Sequence, residues 1–201
     1  MRGVRPGRAD DVVQETDLTL TTRRLELLAL PPVFLRATLA QDHRAAEAWL
    51  GSPVAPEWFL DKAFLTRRLA QLDTDPALQP WLLRVILLRP ERRIIGHIGF
   101  HDRPGASYLR ELSPGGVELG YEILPEFRRQ GFAEEAARGL MRWAHTAEGV
   151  ERFVVSISPD NRPSLNMAAK LGFQKIGSHL DEEDGPEDIF ELRLDSTVSA
   201  L

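Results

Sequence analysis

The stretch VELGYEILPEFRRQGFAEEA, residues 117–136, decides the fold of this chain. Residues 117–124 have the pattern of a central strand, and residues 131–148 repeat small and apolar side chains at helical spacing. A helix that begins directly after a turn exposes unpaired backbone amides and the positive end of its dipole. Gly131 permits close approach of a ligand, and Arg128 and Arg129 add charged donors. The stretch therefore predicts a site for an anion such as a pyrophosphate.

Taken alone, this turn is also compatible with an ordinary strand-to-helix connection whose arginines are solvated. The dinucleotide fingerprint G-x-G-x-x-G and the P-loop G-x-x-x-x-G-K-[ST] are both absent from it. If the turn binds phosphate, it is a cradle of another kind.

The rest of the chain supplies strands and helices on both sides of this stretch. The strands flanking helix 131–148 predict a right-handed parallel crossover, and the paired apolar runs before it predict an antiparallel hairpin. The fold class is therefore α/β (α+β) with a mixed sheet. The other predicted elements are a strand or strand pair over residues 18–28, helices over 31–50 and 57–72, hairpin strands over 81–88 and 93–100, a flexible loop over 104–116, a strand over 153–157, a helix over 163–171, and strands over 173–177 and 189–194.

Composition bounds the class of protein. The 201 residues are 43% hydrophobic and carry a formal net charge of −5, which disfavours a general nucleic-acid surface. The chain has no cysteine, so disulfides, thiolate metal sites and thiol nucleophiles are excluded. No apolar run approaches the roughly 18 residues of a membrane span, and no secretory signal is visible. We expect a cytoplasmic protein with a loose leader (residues 1–17), one domain (18–195) and a tail (196–201).

Two motifs carry a resemblance to a known family. RRQGFA, residues 128–133, resembles the [QR]-x-x-G-x-[GA] loop of the GNAT family of acetyl-CoA-dependent N-acetyltransferases. NRPS, residues 161–164, followed by AKLGF, residues 169–173, resembles that family's second motif at the usual separation. VELGY, residues 117–121, and Ser164 are most similar to the branch that acetylates ribosomal-protein N-termini, which also contains acetyltransferases of other amines. The resemblance extends over about residues 80 to 195.

The resemblance implies a mixed, mostly antiparallel sheet of about seven strands flanked by about four helices. It also implies transfer of an acetyl group from acetyl-CoA, with no metal, to a primary amine on a protein N-terminus or a small molecule, by direct attack in a ternary complex. The residues that it assigns to cofactor binding are Ile123 and Leu124 through their backbone, Arg128, Arg129, Gln130, Gly131, Phe132 and Ala133 in the loop, and Asn161 and Ser164 in the second motif.

Two carboxylates are candidates for the base. A primary ammonium has a pKa near 10 in general, so a base or a water chain must take its proton. Glu118 and Glu122 lie four residues apart on a strand and therefore share a face. Glu118 aligns with the family's glutamate and is the first choice, directly or through water, and Glu122 is the second. Each is equally compatible with a solvated or ion-paired strand carboxylate.

The second motif supplies the candidate acid. Asn161 suits a helix cap, and the resemblance adds a hydrogen bond to the pantetheine arm. Many family members carry a tyrosine seven positions later, where this chain has Ala168. We therefore expect no tyrosine acid, and Ser164 becomes the candidate that returns a proton to sulfur. A thiolate can also leave with little help.

Several features leave alternatives open. His97 and His101 lack a third ligand, so we expect no metal site. The acidic residues 181–188 are predicted to form a solvated loop that could also attract a cationic amine. A GNAT-fold module that senses CoA without turnover is the alternative function. We expect no nucleic-acid or membrane partner and a possible homodimer through an exposed edge strand.

Overall fold

A computed structural model describes residues 18–54, 56–59, 62–181 and 185–194. Within these residues one sheet of eight strands carries five α-helices. The strands are β1 (Thr19–Thr21), β2 (Leu25–Ala29), β3 (Leu83–Leu88), β4 (Arg93–Phe100), β5 (Val117–Ile123), β6 (Arg152–Ile157), β7 (Gln174–Asp181) and β8 (Gly185–Arg193). The helices are α1 (Pro32–Leu39), α2 (His43–Leu50), α3 (Lys62–Thr74), α4 (Phe132–Glu148) and α5 (Arg162–Leu171).

The sheet has the order β1-β2-β3-β4-β5-β6-β8-β7. All neighbouring strands are antiparallel except β5 and β6, which are parallel and are joined through α4. This arrangement confirms the predicted fold class, the hairpin and the parallel crossover. The N-terminal segment forms two strands, which accounts for one strand more than expected.

Apolar side chains cover both faces of the sheet. On one face, Leu140 of α4 and Ala168 of α5 belong to the same buried cluster as Phe100 and Phe153 of the sheet. On the other face, α1, α2 and α3 cover β3 through a second cluster. Both faces are therefore buried, and a site that opens within the sheet has rigid walls.

Two helix predictions are wrong in their extent. The helix expected over residues 31–50 is divided into α1 and α2, because Gln41 has a φ of 57° and interrupts the helix. The Asp42 carboxylate then accepts a hydrogen bond from the Ala45 amide and caps α2. The helix expected over residues 57–72 is instead a 3₁₀ turn (Pro56–Phe59) followed by α3, which ends at Thr74.

The acidic residues 181–188 are not a loop throughout. β7 extends through Asp181 and β8 begins at Gly185, and these two residues are partners in the sheet. Asp188 accepts a hydrogen bond of 2.6 Å from Lys175. Strand pairing thus fixes most of the segment, while residues 182–184 lie outside the described residues, as do the predicted leader and tail. In the described part of the chain, no helix is both long and apolar enough to cross a membrane.

Candidate active site

A cleft opens in the sheet where β5 and β6 separate. The two strands pair only at Val117 with Phe153 and at Glu118 with Val154. Beyond these pairs β5 remains bonded to β4, whereas β6 remains bonded to β8. The backbone of β5 after Glu118 therefore borders an opening rather than a strand.

Backbone groups on alternate residues of β5 face this cleft. The His101 amide donates to the Glu118 carbonyl and the Leu124 amide donates to the Ile95 carbonyl, both at 2.8 Å. Because an antiparallel strand alternates its bonding direction, Ile123 faces the opposite side from Leu124. The expectation that both residues present their backbone to the cofactor is thus corrected, because the Leu124 amide is bonded within the sheet.

The loop between β5 and α4 has the shape of an anion cradle. Arg129 and Gly131 adopt left-handed conformations, with φ of 61° and 79°. Gly131 precedes the first residue of α4, and no side chain caps the helix. The first-turn amides, unpaired within any helix, are therefore open to a ligand. The Arg128 guanidinium turns back and donates to the Ile123 carbonyl at 2.7 Å.

Arg24 and Thr22 in the β1–β2 turn hold this loop through hydrogen bonds that the sequence patterns did not reveal. Arg24 donates to the Gln130 carbonyl at 3.0 Å and pairs with Glu135 at 2.6 Å. Its guanidinium also lies 4.3 Å from the centroid of the Phe132 ring. Thr22 donates to the same carboxylate at 2.7 Å. The only local signal was an acidic residue in the first turn of the helix, and its partner is 111 positions away.

The N-terminus of α5 lies on the other side of the cleft. The Asn161 side chain caps this helix by accepting from the Ser164 amide at 3.2 Å, as predicted. The Tyr121 hydroxyl of β5 donates to the Ser164 hydroxyl at 2.9 Å. Burial raises the pKa of Tyr121 despite the hydrogen bond to Ser164. The α5 motif has Ala168 where many family members carry a tyrosine, and β5 instead places the hydroxyl of Tyr121 beside Ser164.

Glu118 lies at the base of the cleft and is only 8% exposed. Its carboxylate accepts from the Ser156 hydroxyl at 2.6 Å, and its Oε2 atom lies 3.3 Å from His101 Nδ1. Burial raises its pKa, but hydrogen bonds from His101, Ser156 and Tyr108 outweigh burial and leave the pKa below its usual value. Glu118 is therefore a buried carboxylate held in its charged form.

Glu122 occupies a different environment from Glu118. Its side chain is 59% exposed and lies 3.8 Å from the Arg128 guanidinium. The two glutamates share a face of β5 as the spacing predicted, but only Glu118 has its carboxylate in the protein interior.

A cavity of about 1250 Å³ is continuous with the cleft. It lies between α3, α5 and the β7–β8 hairpin, and Glu118, Tyr121 and Ser164 all line it. Burial lowers the pKa of Arg68 on α3 to about 10, and this side chain donates to the His101 carbonyl at 3.1 Å. The cavity exceeds the roughly 300–1,000 Å³ of a typical ligand site, so it has room for parts of two substrates.

His97, the other histidine considered for a metal site, lies among aromatic side chains. Its ring lies 5.1 Å from the ring centroid of Phe64 and 6.1 Å from that of Trp58. Among the residues that the structure describes, no group of three metal-ligating side chains is present.

Comparison with known proteins identifies the family. Residues 19–174 match the model of the acetyltransferase (GNAT) domain. The chain belongs to the GNAT family. The uncharacterized N-acetyltransferase YjdG of Bacillus subtilis (strain 168) is 29% identical over 159 residues, covering 77% of this chain and 88% of that protein. The uncharacterized N-acetyltransferase YoaA of the same organism is 37% identical over 89 residues, covering 44% and 46%.

Solved structures of GNAT proteins share the fold. The ribosomal-protein-S5-alanine acetyltransferase from Vibrio fischeri superposes with a TM-score of 0.61 at 17% identity, covering 89% of this chain and 97% of that chain. The microcin C7 self-immunity acetyltransferase MccE, solved with acetyl-CoA and AMP, has a TM-score of 0.57 at 19% identity, covering 86% and 94%. The protein is thus an acetyl-CoA-dependent N-acetyltransferase whose acceptor is an amine.

The residues present fit acetyl-CoA. The uncapped amides at the start of α4 provide donors for a diphosphate, and the adjoining cleft leaves the Ile123 amide available to a carbonyl oxygen. The geometry of the loop is therefore compatible with the diphosphate-binding role that the resemblance implies for residues 128–133.

Proposed function

We propose that this enzyme transfers the acetyl group of acetyl-CoA to a primary amine by direct attack within a ternary complex. The observation that supports this proposal is the continuity of the cleft between β5 and β6 with the large cavity, so that Ser164 on one side and Glu118 on the other line a single space. The chain has no cysteine that could carry the acetyl group between the two substrates. Direct attack therefore agrees with the side chains available.

The cofactor residues have distinct tasks in this proposal. The loop of residues 128–133 binds the diphosphate through the amides of Phe132 and Ala133, and Asn161 holds the pantetheine arm. When bound, acetyl-CoA supplies an acetyl group activated as a thioester. The Ile123 amide donates to the carbonyl oxygen, on which negative charge develops during transfer.

Proton transfer divides between the two sides of the cavity. Glu118, on the acceptor side, is the first candidate for the base, directly or through water. The exposed Glu122 beside Arg128 is the second candidate. Ser164 gives a proton to sulfur, Tyr121 replaces that proton because its hydroxyl already donates to Ser164, and water then returns a proton to Tyr121. The ordinary pKa of a tyrosine lies well above neutral and burial raises the pKa of Tyr121 further, so its hydroxyl is a donor at neutral pH.

Replacing Tyr121 with phenylalanine tests the two-hydroxyl chain. We expect kcat to fall by about tenfold, the equivalent of losing one hydrogen bond of about 1.4 kcal/mol in the transition state. Isothermal titration should give an unchanged Kd for acetyl-CoA. Ser164→Ala combined with Tyr121→Phe should cost little more than Ser164→Ala alone, because both hydroxyls act in one chain. An undiminished kcat in Tyr121→Phe would exclude this role.

The function itself is tested by acetyl-CoA binding and by amine-dependent release of CoA. Ligand at about 100 times Kd stabilises by about 2.7 kcal/mol, so acetyl-CoA and CoA should raise Tm by roughly 5–10 °C, whereas NAD and ATP should not. The acceptor panel contains a peptide with a free N-terminus, the same peptide with a blocked N-terminus, a polyamine, an amino sugar and an amino acid. We expect thiol release with at least one free amine and none with the blocked peptide.

The outcomes separate the two functions considered for the sequence. Thiol release that depends on a free amine supports transfer. A Tm increase with acetyl-CoA but no release with any acceptor would instead favour a CoA-sensing module. No Tm increase with either CoA compound would remove the cofactor assignment.

A further inference from the structure

Two histidine–glutamate pairs lie across β4 and β5 on the face below α3. His97 is the sheet partner of Glu122, and the His101 amide bonds to the Glu118 carbonyl at 2.8 Å. Gly99 and Gly120, which are partners, lie between the two pairs. The Leu82 carbonyl covers Gly99, whereas Gly120 leaves a floor without a side chain beneath the His101 ring, beside Glu118.

Glu118 is poorly placed to contact an amine directly. It is 8% exposed, and donors from three other residues surround its carboxylate. Those hydrogen bonds lower its pKa, which weakens it as a proton acceptor near neutral pH. A second group must therefore stand between this carboxylate and the acceptor.

His101 occupies that position. Its Nδ1 atom lies 3.3 Å from Glu118 Oε2, and its side chain is 40% exposed. A Cβ atom added at Gly120 would lie 2.8 Å from His101 Nε2, so this nitrogen is located directly over the floor. The next residue, Tyr121, donates to Ser164. His101 therefore lines the same cavity as Tyr121 and Ser164, the proposed proton donor to sulfur.

The surroundings hold the His101 backbone in place and favour one tautomer of its ring. Arg68 and Gln71 of α3 both donate to the His101 carbonyl, at 3.1 and 3.0 Å. A carboxylate beside Nδ1 favours the tautomer with hydrogen on Nδ1, which leaves the lone pair on Nε2. The same carboxylate would face the imidazolium that forms when Nε2 accepts a proton.

We propose that His101 is the catalytic residue that takes the proton from the acceptor amine and that Glu118 is the positioning residue that orients it. This inference rests on the proposed function. The ammonium gives one proton to Nε2, and the imidazolium later gives it to water. The neutral nitrogen forms the C–N bond while the C–S electron pair stays on sulfur. The nitrogen then loses a second proton to water as sulfur gains one from Ser164, giving an amide and a thiol.

Substitutions of His101 distinguish catalysis from support of Glu118. His101→Asn keeps an N–H donor near the Nδ1 position but removes Nε2, so it would preserve a merely structural role. We expect His101→Asn and His101→Ala each to lower kcat/KM by about 100-fold or more. Added imidazole should restore His101→Ala by filling the space of the missing ring. Acetyl-CoA should still raise the Tm of both variants.

Two further variants complete the experiment. Gly120→Ala keeps both partners but displaces Nε2, so it should lose activity that imidazole does not restore. His43→Asn carries the same substitution at the exposed start of α2, outside the cavity, and should be fully active. An active His101→Asn enzyme, or a His101→Ala enzyme that imidazole does not restore, would overturn this inference but not the proposed function. A wild-type enzyme with no transfer to any amine would overturn the proposed function as well.

Discussion

Replacing Gly131 with aspartate is expected to raise the Kd for acetyl-CoA by about 100-fold or more, equivalent to two lost hydrogen bonds of about 1.5 kcal/mol each to a charged group. Gly131 has a φ of 79° and precedes α4, whose first-turn amides no side chain caps. Aspartate tolerates this conformation and is a strong N-cap residue. Its carboxylate would take the amides that we assign to the diphosphate and would repel that group.

The fold should survive this change. A Cβ atom at Gly131 would have Arg24 Nη2 as its nearest neighbour at 3.5 Å, an ordinary contact. Isothermal titration measures Kd, and circular dichroism confirms the fold.

Two variants serve as controls for Gly131→Asp. Gly131→Asn can cap the same amides without a charge, so it should lose less affinity. Gly149→Asp places aspartate at the other end of α4, where φ is 69° and no atom lies within 4 Å, and should bind acetyl-CoA normally. Unchanged affinity in Gly131→Asp would show that the diphosphate binds elsewhere.

Adding one methyl group at Gly96 is expected to lower the free energy of unfolding by about 3 kcal/mol, because overpacking in a rigid core costs up to this much. The new Cβ atom would lie 2.1 Å from the Glu122 carbonyl oxygen and 3.0 Å from the Ile123 Cα atom. Since both contacts are with backbone, no side-chain rotation relieves them, and β4 must move away from β5. For a chain of this length, Tm should fall by roughly 10 °C.

The same variant should impair acetyl-CoA binding, because the displaced segment contains the Ile123 amide that faces the cleft. The increase in Tm with acetyl-CoA should therefore be smaller than for wild type. Gly177→Ala in β7 is the matched control, since its Cβ atom would meet only the end of the Leu112 side chain at 3.4 Å. Calorimetry that found equal Tm values for the two variants would refute the predicted collision.

Local sequence patterns predicted the elements that depend on neighbouring residues. The helix expected over 131–148 is α4 (Phe132–Glu148), because its apolar residues recur at helical spacing and glycines precede and follow it. The break between α1 and α2 at residues 40–42 was not predicted, since a single left-handed residue, Gln41, leaves no periodic signal. The acidic segment was misjudged because composition suggested a loop where strand pairing prevails.

The sequence by itself determined the crossover unit, the turn that begins α4 and the cap at Asn161, because turns, caps and periodicity are encoded within a few residues. Only the tertiary structure decided that Arg24 braces the loop, that Tyr121 meets Ser164 and that His101 stands beside Glu118. The last two contacts depend on how β4 and β5 align and on which helix packs against them, and the Arg24 contact depends on how the β1–β2 turn packs against the start of α4. Strand register and helix packing are properties of the assembled sheet, and a one-residue shift in register would turn each β5 side chain to the opposite face.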